Sequence, residues 1–187
     1  MLNSGGIILY PTETLYGLGA LATSERAVEG VFRCKESGGK PIPVLVRDLD
    51  MMGEYALLSP AAERVAREFL PGPLTLVLRG RGGLAGLVSA GTGNVAVRIS
   101  ANEFVKGLFE AVDFPITSTS ANVSGGANIY GIMELIELFS TRVDLVVDSG
   151  NIPISKGSTV IDMTSASPLL LREGDIPFSD IKEFVSW

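Results

Sequence analysis

Four segments of the chain concentrate side chains able to grip an anion. The first, Tyr10-Pro11-Thr12-Glu13-Thr14-Leu15-Tyr16-Gly17-Leu18-Gly19, follows directly on an apolar run, which is where α/β sheets present ligand loops. The second is Lys35, at the end of a helical pattern and followed by Glu36-Ser37-Gly38-Gly39-Lys40-Pro41. The third is Arg98 in Val95-Ala96-Val97-Arg98-Ile99, where alternation sets Val95, Val97 and Ile99 on one face and Arg98 on the other. The fourth, Ser118-Thr119-Ser120-Ala121-Asn122-Val123-Ser124-Gly125, puts five small hydrogen-bonding side chains into seven residues. Such a set can hold phosphate or carboxylate by hydrogen bonds and positive charge.

Each segment also has a plain structural use. A hydroxyl-rich turn can cap the next helix, and a lysine near a helix C-terminus is favoured by the helix dipole alone. Ser and Asn runs make turns. If the Arg98 face is covered, the guanidinium needs an anionic partner, because an unpaired buried charge costs several kcal/mol. A ligand carboxylate or phosphate would serve, and so would a structural Asp or Glu.

Composition removes much competing chemistry. The 187 residues contain no histidine, which excludes Ser-His-Asp and Cys-His systems, His-ligated zinc and a histidine proton shuttle. Cys34 is the single cysteine, too few for an internal disulfide, a Cys metal cage or a redox pair. No Walker A loop, G-x-G-x-x-G or G-x-S-x-G occurs, since Gly39-Lys40 lacks both the following Ser/Thr and the Gly five residues before Gly39. The formal charge of −6 gives no general affinity for nucleic acid, although a local basic face remains compatible with it. Without a basic leader or an apolar run near 20 residues, the chain is expected in the cytoplasm and off the membrane.

The elements that must position these residues follow from hydrophobic period and punctuation. Strands are predicted at Ile7–Tyr10, Pro43–Val46, Thr75–Arg79, Val95–Ile99, Ile116–Ser118, Val143–Val147, Thr159–Asp162 and Leu169–Leu171. Helices are predicted at Ser24–Lys35, from Ser59-Pro60 to Phe69, at Asn102–Val112 and around Gly131–Phe139. Pro11–Ala20 and the glycine-rich Arg79–Gly93 read as loops. With 46% hydrophobic residues and no convincing linker, one α/β domain over 1–187 is expected, an open twisted mixed sheet with flanking helices and a concave ligand face.

The order of these motifs carries a resemblance. PTETLYGLG, a lysine after the next helix, LPGPLTLVL, VAVRI, STSANVSG, then Gly157-Ser158-Thr159-Val160 and Leu171-Arg172-Glu173-Gly174 closely resemble the YrdC-type threonylcarbamoyl-AMP synthases from about Gly5 to Gly174. The resemblance implies a nucleotidyltransferase that joins L-threonine, bicarbonate and ATP into threonylcarbamoyl-AMP and pyrophosphate, in the tRNA threonylcarbamoyladenosine pathway. It also implies a cationic site associated with tRNA or double-stranded RNA, and a downstream tRNA-modifying transferase as recipient. Such chemistry needs positioning and positive charge on phosphates rather than a covalent nucleophile.

Carried over by motif, Lys35 would neutralise ATP phosphate, Ser120 and Asn122 would hydrogen-bond phosphate or ribose, and Ser158 and Arg172 would touch ATP further. Thr12, Thr14, Tyr16 and Thr119 would frame threonine and carbamate, Arg98 would take the substrate carboxylate, and Mg²⁺ would arrive with ATP. Two departures stand out. Ser37 occupies the place of the arginine in the family's K-x-R motif, and the segment to Pro41 is one residue short, with Lys40 the candidate replacement cation. Lysine does not reproduce a bidentate guanidinium clamp. Paralogues with an altered K-x-R motif exist in the superfamily, which sets a second expectation, a non-catalytic or altered-activity RNA-binding relative, beside the first. Only Met1–Ser4 precede Gly5 where relatives carry a helix, so a truncated start is expected, and Asp175–Trp187 reads as a short tail with no extra domain.

Overall fold

The computed structural model describes residues 1–185. In chain order the elements are β1 (Ile8–Tyr10), β2 (Gly17–Gly19), α1 (Glu25–Cys34), β3 (Val44–Leu45), α2 (Leu49–Tyr55), β4 (Ala56–Leu57), α3 (Pro60–Phe69), β5 (Leu74–Gly80), α4 (Gly86–Ser89) and β6 (Asn94–Arg98). There follow α5 (Glu103–Ala111), β7 (Ile116–Thr117), β8 (Thr119–Ser120), α6 (Ile132–Phe139), β9 (Leu145–Val146), β10 (Thr159–Asp162), β11 (Leu169–Arg172) and α7 (Phe178–Lys182). The mixed α/β character, the open sheets and the flanking helices are as expected.

The strands divide between two sheets. One runs β8-β2-β1-β9; the other runs β11-β10-β5-β6-β3-β7, with β4 added to β5. The chain passes from the second to the first at Ser118, between β7 and β8. Thr117 fastens this crossing: its hydroxyl donates to the Leu18 carbonyl and accepts from the Ala20 N–H, both at 2.9 Å. Pairing against β1 and β8 makes a strand of Gly17-Leu18-Gly19, a stretch whose glycines read as loop in the sequence. The glycines are there because the Tyr10 ring covers them; a Cβ on Gly19 would lie 2.8 Å from Tyr10 Cε1.

Helix starts are legible in their caps. Ser24 accepts from Ala27 N, Ser59 from Ala62 N and Asn102 from Phe104 N, each satisfying an N–H that the first turn leaves open. In α1 the residues Ala27, Val28, Val31 and Phe32 turn into the core. The expected loop at Arg79–Gly93 contains the short helix α4, whose first amide, Gly86 N–H, is held by the Glu25 carboxylate of α1. The core is a continuous cluster in which Leu74, Leu76 and Leu78 of β5 are fully buried beside Val97 of β6 and Ile161 of β10. Among the described residues no helix is long and apolar enough to cross a membrane.

Candidate active site

Strand register alone assembles one wall of the site. Leu74, Leu76 and Leu78 occupy the core face of β5, so Thr75 faces the other way. Leu76 pairs with Val97 of antiparallel β6, which brings Arg98 beside Thr75 on that same face. Parallel β10 pairs Val160 with Thr75, and Ser158 lies two residues back along the same face. Val160 pairs in turn with Arg172 of β11. Arg172, Ser158, Thr75 and Arg98 therefore stand in a row across four adjacent strands. Both end residues are guanidiniums.

Side-chain contacts tie the row together. Thr75 Oγ1 and Ser158 Oγ are 2.8 Å apart, and Arg172 donates from Nη2 to Ser158 Oγ at 3.0 Å and to the Ser158 carbonyl at 2.8 Å. Burial and the like charge of Arg98 lower the Arg172 pKa from its ordinary value. Arg98 is 5% exposed and ion-pairs with Glu13, whose other oxygen accepts from the Ser100 hydroxyl. Arg98 Nη1 also reaches Thr14 Oγ1 at 3.4 Å. Of the partners the sequence left open for Arg98, the structure supplies a structural carboxylate, and it comes from the adjacent motif.

The facing wall is the crossing between the sheets. Ser118, Thr119 and Ser120 line a cavity of about 260 Å³ together with Thr12, Thr14, Tyr16, Pro41 and Pro43 and the row just described. Thr12 Oγ1 donates to the Leu15 carbonyl at 2.6 Å and accepts from the amides of Thr14 and Leu15, so the first motif is a hydroxyl-closed turn. Tyr16 is almost fully buried; its hydroxyl donates to the Gly150 carbonyl at 2.8 Å and accepts from Ser149 N–H. Desolvation raises its pKa. Tyr16 therefore braces the cavity as well as lining it.

Lys35 and the serine-rich loop, 85 residues apart in sequence, meet. Lys35 Nζ donates to the Ser120 carbonyl at 2.5 Å, the Asn122 carbonyl at 3.0 Å and Asn122 Oδ1 at 3.1 Å, while Ser120 Oγ donates to Asn122 Oδ1 at 2.7 Å. The ammonium lies directly behind the loop that lines the cavity. Burial pushes its pKa down to about 8. Around it, Arg142 Nη1 donates to the Cys34 carbonyl at 3.1 Å and pairs with Glu36 at 2.7 Å, holding the turn on both sides of Lys35. Glu36 has φ 52, a left-handed conformation unusual for its residue type.

The structure thus gathers Thr12, Thr14, Tyr16, Arg98, Thr119, Ser120, Ser158 and Arg172 around one cavity, with Lys35 and Asn122 bonded to its loop. Lys40 stands exposed beside Pro41 and is not among the lining side chains, and Ser37 is half-exposed on the same turn. Sequence reasoning missed Glu13 as the partner of Arg98, Ser100 as the hydroxyl that holds the Glu13 carboxylate, and Thr75. Thr75 had a signal, a polar residue in the off-core phase of an apolar strand. The Glu13 contact had none, because only the tertiary fold brings it across 85 residues.

Open mixed sheets, flanking helices and a polar cavity at the junction of the sheets define the class, an α/β protein with a site built at strand ends. The profile of the Sua5/YciO/YrdC family, described as telomere recombination, matches residues 1–174, and the chain belongs to that family. A threonylcarbamoyl-AMP synthase from Pyrococcus abyssi is 35% identical over 186 residues, covering 98% of this chain and 55% of the relative. The structure of P. abyssi Sua5 complexed with L-threonine superposes with a TM-score of 0.92 at 34% identity, over 98% of this chain and 54% of that one. Escherichia coli YciO superposes with a TM-score of 0.88 at 27% identity, over 96% of this chain and 88% of that one. The chain spans about half the length of the Pyrococcus relatives.

Proposed function

We propose that this chain makes threonylcarbamoyl-AMP from L-threonine, bicarbonate and ATP, releasing pyrophosphate, as the first step toward threonylcarbamoyladenosine in tRNA. The observation that carries the reading is the cavity itself, where two guanidiniums, a row of hydroxyls and a loop braced by an ammonium converge without a histidine or an activated nucleophile. The names of the relatives and the threonine held by P. abyssi Sua5 support it.

In this reading Ser120, Ser158 and Arg172 bind the triphosphate, with Asn122 beside Ser120 and the Lys35 charge behind them. Thr12, Thr14, Tyr16 and Thr119 frame threonine carbamate, and Arg98 takes its carboxylate. The threonine amine first joins bicarbonate, the new C–N bond forming as water leaves; a carbamate oxygen then attacks the α-phosphorus, the new O–P bond forms, the bond to the β-phosphate bridge breaks, and pyrophosphate leaves. The protein's part is alignment and charge stabilisation. Mg²⁺ enters on the phosphates, held by their oxygens and water. Among the described residues no group of three or more His, Cys, Asp or Glu side chains is placed to hold a metal ion. The product is labile and passes to a tRNA-modifying transferase in the cytoplasm.

Pyrophosphate release from ATP, bicarbonate and Mg²⁺ tests this. Release that requires L-threonine is the expected result; release at background, with or without threonine, contradicts it. The exposed turn carrying Ser37 in place of the clamp arginine favours a second reading, an altered-activity or non-catalytic relative that binds tRNA or double-stranded RNA. Background release with retained duplex binding would select that one.

A further inference from the structure

Two guanidiniums share the cavity wall, and the fold treats them differently. Arg98 pairs through Nη2 with Glu13, and Ser100 secures the same carboxylate from its other oxygen. Its Nη1 makes one long contact to Thr14, and its Nε–H is buried with no hydrogen-bond partner among the described residues. Arg172 bonds to neutral acceptors, its Nε to the Ser158 carbonyl at 3.1 Å and its Nη2 to that carbonyl and to Ser158 Oγ. Among the described residues no carboxylate pairs with it. One cation carries an internal counter-ion and the other does not.

We propose that Glu13 is a specificity-determining residue that partitions the cavity by charge. It compensates Arg98, so that this end accepts the single charge of an amino-acid carboxylate, and thereby directs the polyphosphate to uncompensated Arg172. The inference rests on the proposed function for the identity of the two ligands. Its physics is local. A guanidinium has five N–H groups, and Glu13 and Thr14 engage only two of them, so a ligand carboxylate that reaches Arg98 from the cavity gains a charge-assisted bond. A polyphosphate of several charges gains most where the cation has not already been neutralised. Glu13 is not a lining residue of the cavity, and its oxygens are engaged by Arg98 and Ser100, so it acts through Arg98 rather than on the ligand.

Calorimetric titration of inorganic pyrophosphate and of L-threonine into the whole chain tests the partition. In Glu13→Gln, pyrophosphate affinity is expected to rise about tenfold while threonine affinity, set by a single carboxylate charge, changes by no more than about threefold, and Glu13→Asp, which keeps the charge, should return both toward wild type. A residue that merely holds the fold together would weaken both ligands. Unchanged or weaker pyrophosphate binding in folded Glu13→Gln therefore overturns the proposal. If circular dichroism shows that Glu13→Gln does not fold, the double variant Glu13→Gln with Arg98→Met replaces it, because the net charge of the wall is then unaltered. Pyrophosphate affinity should stay within about twofold of wild type while threonine binding is lost; a tenfold loss for pyrophosphate would overturn the partition. A wild-type chain that binds pyrophosphate but not threonine would defeat the functional reading alone, since the charge partition is still read on the pyrophosphate arm.

Discussion

Lys35→Ala should reduce threonine-dependent pyrophosphate release by on the order of 1000-fold, while Cys34→Ser stays within about twofold of wild type. The ammonium is bound to three oxygens of the loop that lines the cavity, so the alanine variant removes a positive charge from beside the proposed phosphate site and also unties Ser120 and Asn122. Leaving those oxygens without their donor costs about 1–3 kcal/mol of stability, and the loss of rate must be measured below the melting transition of the variant. The adjacent thiol is a fair control. Cys34 donates to the Arg142 carbonyl at 2.9 Å, a bond that a serine hydroxyl can replace, and its burial raises its pKa, away from thiolate chemistry. Equal losses in the two variants would remove Lys35 from the site.

The same lysine sets a pH signature. Its pKa lies near 8 in the folded chain against an ordinary 10.5, and desolvation is the cause. Between those values the unfolded chain holds the proton more often than the folded one, so stability should rise with pH across this window. Activity should do the opposite. In the proposed reaction the ammonium serves the phosphates, so kcat/KM for ATP should bend downward near pH 8, a limb expected to shift upward in Lys35→Arg.

Gly174→Ala is expected to be the most damaging small substitution. A Cβ at this position would lie 2.2 Å from the Gly157 carbonyl oxygen, 2.4 Å from the Ser158 carbonyl carbon and 2.5 Å from Thr159 N, all backbone atoms unable to move independently. Overpacking against backbone costs about 3 kcal/mol or more. In a domain of this size that lowers the melting temperature by roughly 6–12 °C. The chain that must give way carries Ser158, and Gly174 follows Arg172 closely, so affinity for ATP should fall in whatever fraction remains folded. A variant that melts with wild type would show that the two strand ends do not approach as described.

These sites differ in how far sequence reveals them. Helix α3 was readable to the residue because Ser59-Pro60 starts it and Leu70-Pro71 ends it, both local signals. The strand at Thr159–Asp162 was equally plain. By contrast, α2 was missed although Asp48 caps it, because seven residues are too few for a clear period. The two-residue strand β8 owes its existence to β2, about 100 residues earlier, and β2 was read as loop although it pairs with the nearby β1 as well, whereas β7 falls within the strand expected at Ile116–Ser118. The division into two sheets at Ser118 is a tertiary event with no local signature.

The candidate site follows the same rule. Motif order identified Lys35, Arg98, the Ser118–Asn122 loop, Ser158 and Arg172, and the fold places them around or directly behind one cavity. Alternation marked Arg98 as facing away from its apolar neighbours, and register explains why it lies beside Thr75. The carboxylate that compensates Arg98 belongs to a different strand end, and no spacing in the sequence connects them. Local pattern places a residue on a face; pairing decides what that face meets.

A crystal structure of the chain with L-threonine and an ATP analogue resistant at the α–β bridge tests the central assignment most directly. The triphosphate is expected within hydrogen-bond distance of Ser120, Ser158 and Arg172, with the threonine carboxylate against Arg98. Phosphates bound outside the cavity, with these four side chains left as they stand without ligand, would contradict it.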